Sequence, residues 1–535
     1  VSVALLDRPV DRTDTNPWLI AVAVVIPTFM EVLDTTIANV ALRYIAGGLS
    51  AAENDSEWVI TSYLAANATI LPISGWLAMR LGRRQYFLLS IAVFTGASAM
   101  CGMATSLEML IAARVLQGVA GGGLQPSSQG ILLDAFPQEK QGNAQALFGI
   151  AALLAPIVGP TLGGYITDNY GWRWIFYINV PVGILSVLIC NAVVHDPKYL
   201  QVQRAELRRR GAPFDMFGLI LLAVTMTSWE VVLSKGQEWD WFGDPFWRVQ
   251  TLTVVFVASL VALVTRQMRI ANPLINFRTL SDRNFAVSCV LIFCAFGVLY
   301  ANTTTLPALL QTLFGYDATT SGLVLSPAGV FSVLMLFIVG ALLTHGFDAR
   351  YLIAAGLATM AAGNYWMSQL NLEVGPWAIV WPRVVIIVGL SMVFAPINVA
   401  AFLYIPKEMR GAAVGLLALL RNEGGSVGTS VGKIFLDRGE QFHTLRLNES
   451  LDPLNPAVSP FLDQGREFFL KQSGDPAAAQ QQALGLLEAL RHQQALSLSY
   501  FDVFYLSAVV AAVLVFLVFL MRRSVAKKGE HISAE

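Results

Sequence analysis

Long apolar runs alternate with short polar breaks along almost the whole chain. A helix needs roughly 20 mostly apolar residues to cross a bilayer. Fourteen runs approach that length, at Trp18–Tyr44, Glu57–Met79, Tyr86–Ala104, Leu107–Leu133, Asn143–Thr167, Trp174–Val194, Phe214–Leu233, Val249–Arg266, Phe285–Leu313, Gly322–Leu343, Tyr351–Leu370, Trp377–Leu403, Ala412–Leu436 and Phe501–Met521. Backbone groups in lipid must be satisfied within the segment, so such runs are helices. The pattern predicts an all-α polytopic membrane protein, with both termini on one side because the count is even.

The polar breaks orient the chain. Arg80, Arg83 and Arg84 follow span 2, and Lys198, Arg204, Arg208, Arg209 and Arg210 follow span 6. Arg266, Arg269, Arg278 and Arg283 follow span 8, and Arg522, Arg523, Lys527 and Lys528 follow span 14. The opposite loop at 49–57 contains no Lys or Arg. Basic residues collect on the cytoplasmic side, which places both termini in the cytoplasm. The first run carries Glu31 and Asp34 and ends without a small-residue cleavage site, which argues against a cleaved signal peptide.

Six spans precede the basic stretch and six follow a second polar linker, with two between. The expected organisation is a six-helix bundle at 1–194, then a basic loop, an inserted helix pair and a linker at 195–284. A second six-helix bundle follows at 285–535. Paired six-helix units around a midplane site are a recurring transporter plan. The polar stretch at 437–500 is expected to be a long outward loop. Within it, Ala477–Leu496 reads either as a surface helix with leucines 484, 487 and 490 on one face or as a floppy loop tip.

Composition narrows the function. Only 13% of the 535 residues are charged, 55% are hydrophobic, and mean hydropathy is +0.59. Soluble domains carry about 25% charged residues. No basic stripe with interleaved aromatics suggests nucleic acid. The four cysteines lie in apolar runs without a CxxC pattern, so neither a metal site nor a disulfide framework is implied. The five histidines fall in loops or tails, and no phosphate-binding GxxxxGK[ST] sequence occurs. ATP is therefore not the expected energy source, and no catalytic constellation points to an enzyme.

Charge inside the spans is the informative exception, because it is costly there and marks function by default. Glu31 and Asp34 in span 1 share a helix face by their i, i+3 spacing. Arg114 in span 4 leads a smooth polar face with Gln117 and Gln125. At ~1.5 Å per residue, Asp34 lies roughly 15 Å and Arg114 roughly 10 Å from the outer surface, compatible depths for a pair. Glu31 is the leading proton carrier, and Asp34 with Arg114 the leading switchable pair. The two carboxylates' roles are interchangeable at this level, and a purely structural ion network is the alternative. Arg383 and Asn398 in span 12 and Arg421 and Glu423 in span 13 extend the polar set. Glu423 is a second titratable candidate unless it pairs with Arg383 or Lys433. In span 5, Pro156, Gly159, Pro160, Gly163 and Gly164 point to a helix that flexes or packs tightly, with a static kink as the alternative.

These residues together resemble a known family. Leu33–Ala41, the loop Gly75–Arg84 with Gly75, Arg80, Gly82, Arg83 and Arg84, and Arg114–Gly118 are similar to signatures of the major facilitator superfamily. Gly159-Pro160 with Gly163-Gly164, Trp172–Pro181 and Lys235–Phe242 narrow the resemblance to its fourteen-span EmrB/QacA-type drug:proton antiporters. Met79 departs from an acidic loop position, Glu423 from an apolar one, and Glu31 from a polar amide. The resemblance implies a proton-coupled multidrug exporter of the bacterial inner membrane. It would work by alternating access on amphiphilic small molecules, driven by the proton motive force without a cofactor or metal. It further implies a periplasmic adaptor and an outer-membrane channel as partners. A dedicated exporter of one lipid, fatty acid or antibiotic is the runner-up, and a non-transporting membrane sensor a rival from another class.

Overall fold

The computed structural model describes residues 16–525 except 138–139, 197–199, 202–203, 205–214, 271–272, 407–408, 452–454 and 457. Fourteen spans appear in order among the described residues, with no strand. Span 1 is Pro17–Gly48 and span 2 is Trp58–Ile70 with Ser74–Leu81. Spans 3 to 6 are Arg83–Gly102, Leu107–Gly121 with Leu124–Ala135, Gln141–Tyr170, and Trp174–Tyr177 with Asn179–Val193. Spans 7 and 8 are Met216–Lys235 and Arg248–Arg269. Spans 9 to 12 are Arg283–Thr312, Ala318–Leu325 with Pro327–Thr344, Ala349–Ser368 and Pro376–Phe402. Spans 13 and 14 are Arg410–Ser450 and Pro476–Val518. Among the described residues eleven of these segments, some built from two consecutive helices, are long and apolar enough to cross a bilayer; spans 2, 11 and 13 fall short of that length or hydropathy.

Local chemistry sets the ends. Asn16 accepts from the Trp18 amide with Pro17 in the first turn, and Ser106 accepts from the Met109 amide. Aspartates cap spans 7, 9, 11 and 14 at Asp215, Asp282, Asp348 and Asp475. Each supplies an acceptor to amides that the helix leaves unpaired. Pro72 forces the short 3-10 turn that breaks span 2, and Gly82, at φ 96°, ends it.

Span 1 packs along span 5 and against span 6, while span 9 packs along span 13 and against span 14. The close approach of spans 1 and 5 depends on glycine. A Cβ on Gly159 would fall 2.1 Å from Thr36 Oγ1, and one on Gly163 would fall 3.1–3.3 Å from Ile37. The corresponding approach of span 13 to span 9 is made by Gly428, whose Cβ would lie 2.0 Å from the Gly297 carbonyl oxygen. Spans 7 and 8 pair with each other, and span 7 also contacts spans 2 and 13.

The stretch at 437–500 is not a loop. Span 13 continues unbroken to Ser450, Val458–Ser473 is a separate helix, and Pro476–Val518 is one helix whose second half is span 14. Polarity marked where the chain leaves the apolar zone, but Gln, Ala, Leu and Glu are good helix formers and keep the helix going. Asp475 starts the last helix by accepting from the Ala477 amide at 2.9 Å. The extended helices are tied together by Arg491 donating to Asn448 at 2.7 Å and by His443 against Asp502 at 2.7 Å. Ala479 and Ala483 pack, whereas Leu484 and Leu490 point outward, 47% and 44% exposed. Of the expected basic cluster, Lys198, Arg208, Arg209, Arg210, Lys527 and Lys528 lie outside the described residues.

Candidate functional site

Two buried carboxylates on span 1 organise two separate networks. Asp34 lies 2.6 Å from Arg114 Nη1, and both side chains are essentially inaccessible. Its other oxygen accepts from Gln117 Nε2 at 3.0 Å and from Asn179 Nδ2 at 2.7 Å. Arg114 also donates to the Val59 carbonyl at 3.1 Å and sits 4.3 Å over the Tyr63 ring. Asn179 reaches on to Ser98. Spans 1, 2, 3, 4 and 6 thus meet at one ion pair.

Glu31, one turn along, turns to other partners. Oε1 accepts from Tyr63 at 3.0 Å and Asn67 at 3.1 Å, and Oε2 accepts from Gln125 at 2.6 Å. No cation forms an ion pair with it among the described residues. The Gln125 carbonyl oxygen accepts from Arg421 of span 13, so the Glu31 network crosses from spans 1–6 to spans 9–14. Two further bonds cross at the same level: Asn422 donates to Asn67 at 3.2 Å, and Gln129 donates to Asn398 at 2.7 Å. Phe148, Phe296 and Phe394 surround Arg421, with ring centres 5.5–6.0 Å from its guanidinium.

The loop after span 2 is a second functional cluster. Gly75 lies against the Gly411 backbone of span 13, where a Cβ would meet the carbonyl oxygen at 2.5 Å. Arg83 pairs with Asp134 at the end of span 4 and donates to the Gly130 carbonyl at 3.1 Å. Arg84 donates to Asn191 at 2.8 Å, and Arg80 stacks 5.1 Å over Trp76. Asp134 therefore gives the loop an acid despite Met79. In span 5, Pro156 and Pro160 are accommodated inside a continuous helix, and Gly164 accepts from Thr167.

Two expectations in spans 12 and 13 need correcting. Arg383 does not join the Arg421 network; it donates to Thr303 at 3.4 Å, and its Nε and Nη1 find no partner. Glu423 pairs with neither Arg383 nor Lys433. Lys433 lies 3.4 Å from Glu57, and the Glu423 carboxyl meets Glu230 of span 7. Helix rotation decides this: two residues after Arg421, Glu423 faces away from the centre and towards the inserted pair. Sequence reasoning did not single out Tyr63, Asn67, Asn179, Asp134 or Glu230. Glu230 carried a usable signal, since it is an acid inside span 7. Tyr63 and Asn67, four residues apart, made a polar stripe on span 2.

Comparison with known proteins identifies relatives of the chain. The model for the Major Facilitator Superfamily matches residues 24–429. The multidrug export protein EmrB of Escherichia coli strain K12 is 36% identical over 94% of this chain and 94% of its own. EmrB of Haemophilus influenzae is 37% identical over 87% of this chain and 89% of its own. The fatty acid resistance protein FarB of Neisseria gonorrhoeae is 32% identical over 97% of this chain and 98% of its own.

Proposed function

The chain belongs to the major facilitator superfamily, and from that premise we propose that it is a proton-coupled exporter of amphiphilic drugs, a transporter and not an enzyme. The observation that carries the reading is the Glu31 carboxylate, buried at the seam and linked through Gln125 to Arg421. The relatives named for multidrug export support the substrate class.

Spans 1–6 and 9–14 act as two rocking units, with spans 7 and 8 inserted between them. The closed centre holds Arg421 within Phe148, Phe296 and Phe394, aromatic surfaces suited to flat amphiphiles. A proton on Glu31 removes the negative charge that orients Gln125, and Gln125 then loosens its hold on Arg421. Asp34 and Arg114 keep span 1 registered to span 4 as the switchable ion pair. The Gly159 and Gly163 faces let span 1 slide against span 5. Arg83–Asp134 and the Gly75–Gly411 contact close the basic end, while Glu57 with Lys433 and Lys235 closes the other. One pH unit is worth about 1.4 kcal/mol per proton. A membrane potential of 100 mV adds about 2.3 kcal/mol per charge.

The basic end faces the cytoplasm of a bacterial inner membrane, with both termini there. The helices beyond the apolar zone, 437–500, then face the periplasm and offer Leu484 and Leu490 to an adaptor protein leading to an outer-membrane channel. The 32% identity to FarB favours a dedicated fatty-acid exporter as the second reading. Uptake of a fluorescent amphiphilic cation and of a fatty acid into inverted vesicles, with and without a pH gradient, separates the two. Gradient-driven uptake of the cation is the expected result, and absence of uptake for both overturns transport.

A further inference from the structure

Span 7 meets span 13 through two acids. Glu230 and Glu423 are 2% and 6% exposed, and their carboxyls neighbour each other where span 7 contacts span 13. Ser426 donates to Glu230 Oε1 at 3.0 Å. The other oxygen of Glu230 and both oxygens of Glu423 are buried without a partner. Buried polar atoms rarely stand unsatisfied, so three on facing side chains call for an explanation.

No cation among the described residues supplies one. Along span 7, Lys235 is committed to Glu57 at 3.0 Å and Glu238 at 2.7 Å. Along span 13, Arg421 points to Gln125, and Lys433 lies by Glu57. On span 2, Tyr63 donates to Glu31. On span 8, Arg248, Arg266 and Arg269 lie near its two ends. On span 9, Tyr300 packs by Gly425. Beside the pair stands the Trp229 indole, neutral and stacked on Phe256; the indole also interacts with the Glu423 carboxyl but brings no charge to offset a second carboxylate.

We propose that Glu230 and Glu423 share one proton and form a second proton-binding site, distinct from the span 1 carboxylates. A carboxyl group donates where two carboxylates can only accept, so one proton converts the facing oxygens into a donor and an acceptor. Like charges this close in an apolar surrounding do not both persist, as in other carboxyl dyads. The step is a plain transfer: the shared proton passes to water and leaves two carboxylates, with no other bond made or broken. Those carboxylates repel, and span 7 parts from span 13. Ser430 donating to the Leu233 carbonyl at 3.0 Å is the neighbouring contact that would part with it. The inserted pair is thereby a proton-sensitive latch on the seam, and its role rests on the proton-coupled reading above.

The test uses the full chain in lipid nanodiscs, with no drug and no gradient. Infrared difference spectra between low and high pH follow protonated carboxyls. Spin labels replacing Phe242, just beyond the end of span 7, and Phe435 in span 13, both exposed, follow the separation of the inserted pair from span 13. The wild-type protein should lose a carboxyl band as pH rises while the labels move apart. Glu230→Gln and Glu423→Gln should each abolish the label movement and remove one carboxyl band while the Glu31 band stays, and the double substitution should add nothing, because one proton is shared. Glu230→Lys should hold the labels close at every pH by pairing with Glu423. Labels that stay put in the wild type, a band set that is the same in the wild type and both Gln variants, or movement that survives in either Gln variant, would overturn the site. Transport in vesicles is read separately, so a failed exporter with a titrating latch would indict only the transport reading.

Discussion

Glu31 and Arg421, a carboxylate on span 1 and a guanidinium on span 13, are joined through Gln125 rather than directly. The amide spends its N–H on the acid and its carbonyl oxygen on the arginine. A change of charge at Glu31 therefore alters how Gln125 is held, and that is felt across the seam. A direct ion pair would instead resist protonation and lock the seam shut.

Gln125→Leu should uncouple the two sides while leaving both charges in place. Its loss strips Glu31 of one donor and Arg421 of one acceptor, each costing about 1–3 kcal/mol. Gradient-driven uptake in inverted vesicles should fall at least tenfold, with substrate binding by fluorescence largely retained. Unchanged uptake would remove Gln125 from the coupling path.

The Asp34–Arg114 pair makes a different expectation. Arg114→Ala leaves Asp34 buried without its cation, and breaking such a pair costs about 3–5 kcal/mol. Arg114→Lys keeps the charge but loses the planar fork that reaches both Asp34 and the Val59 carbonyl. Transport and thermal stability should drop in the order wild type, Lys, Ala. The double change Asp34→Asn with Arg114→Gln should be more stable than Arg114→Ala alone. Normal pumping by Arg114→Ala would dismiss the pair as a working element.

Span 5 tolerates little at Gly159. A side chain there would strike Thr36, so Gly159→Leu should push span 1 away and slow the cycle. Single-turnover uptake should be reduced more than equilibrium binding. Loss of both in parallel would point to failed folding.

Much of this was legible in the sequence because lipid imposes simple rules. Apolar length located the spans, and the ~1.5 Å rise placed Asp34 and Arg114 at compatible depths. The helix at Ala477–Leu496 was one of the two readings of its leucine spacing, but the extension of span 13 was missed because polarity reports solvent, not backbone conformation: residues 437–450 are polar and fully helical. Neutral partners such as Tyr63, Asn67 and Asn179 depend on how each helix is rotated about its axis, which spacing within one span does not specify. The bond from Gln125 to Arg421 depends on how two distant segments face each other. Glu230 was legible by the same rule that found Glu31, an acid inside a span, and only its partner required the structure.

The helical extension at 437–500 carries the partner question. Changing the exposed Leu484 and Leu490 to Gln keeps spans 13 and 14 whole while removing the apolar positions offered to a partner. Uptake into inverted vesicles should survive, while drug resistance of a two-membrane host and co-purification with an adaptor should be lost. Full resistance in that host would show that the extension needs no partner.

The most direct measurement compares wild-type protein with Glu31→Gln in sealed inverted vesicles. The amide mimics the protonated carboxyl in shape and charge. Wild-type vesicles should accumulate drug only under an inside-acid gradient and lose it on addition of an uncoupler. Glu31→Gln, inserted at normal levels, should bind drug yet show no gradient-driven accumulation. Accumulation by Glu31→Gln equal to wild type, and still abolished by the uncoupler, would contradict the role of Glu31 as the proton carrier at the seam.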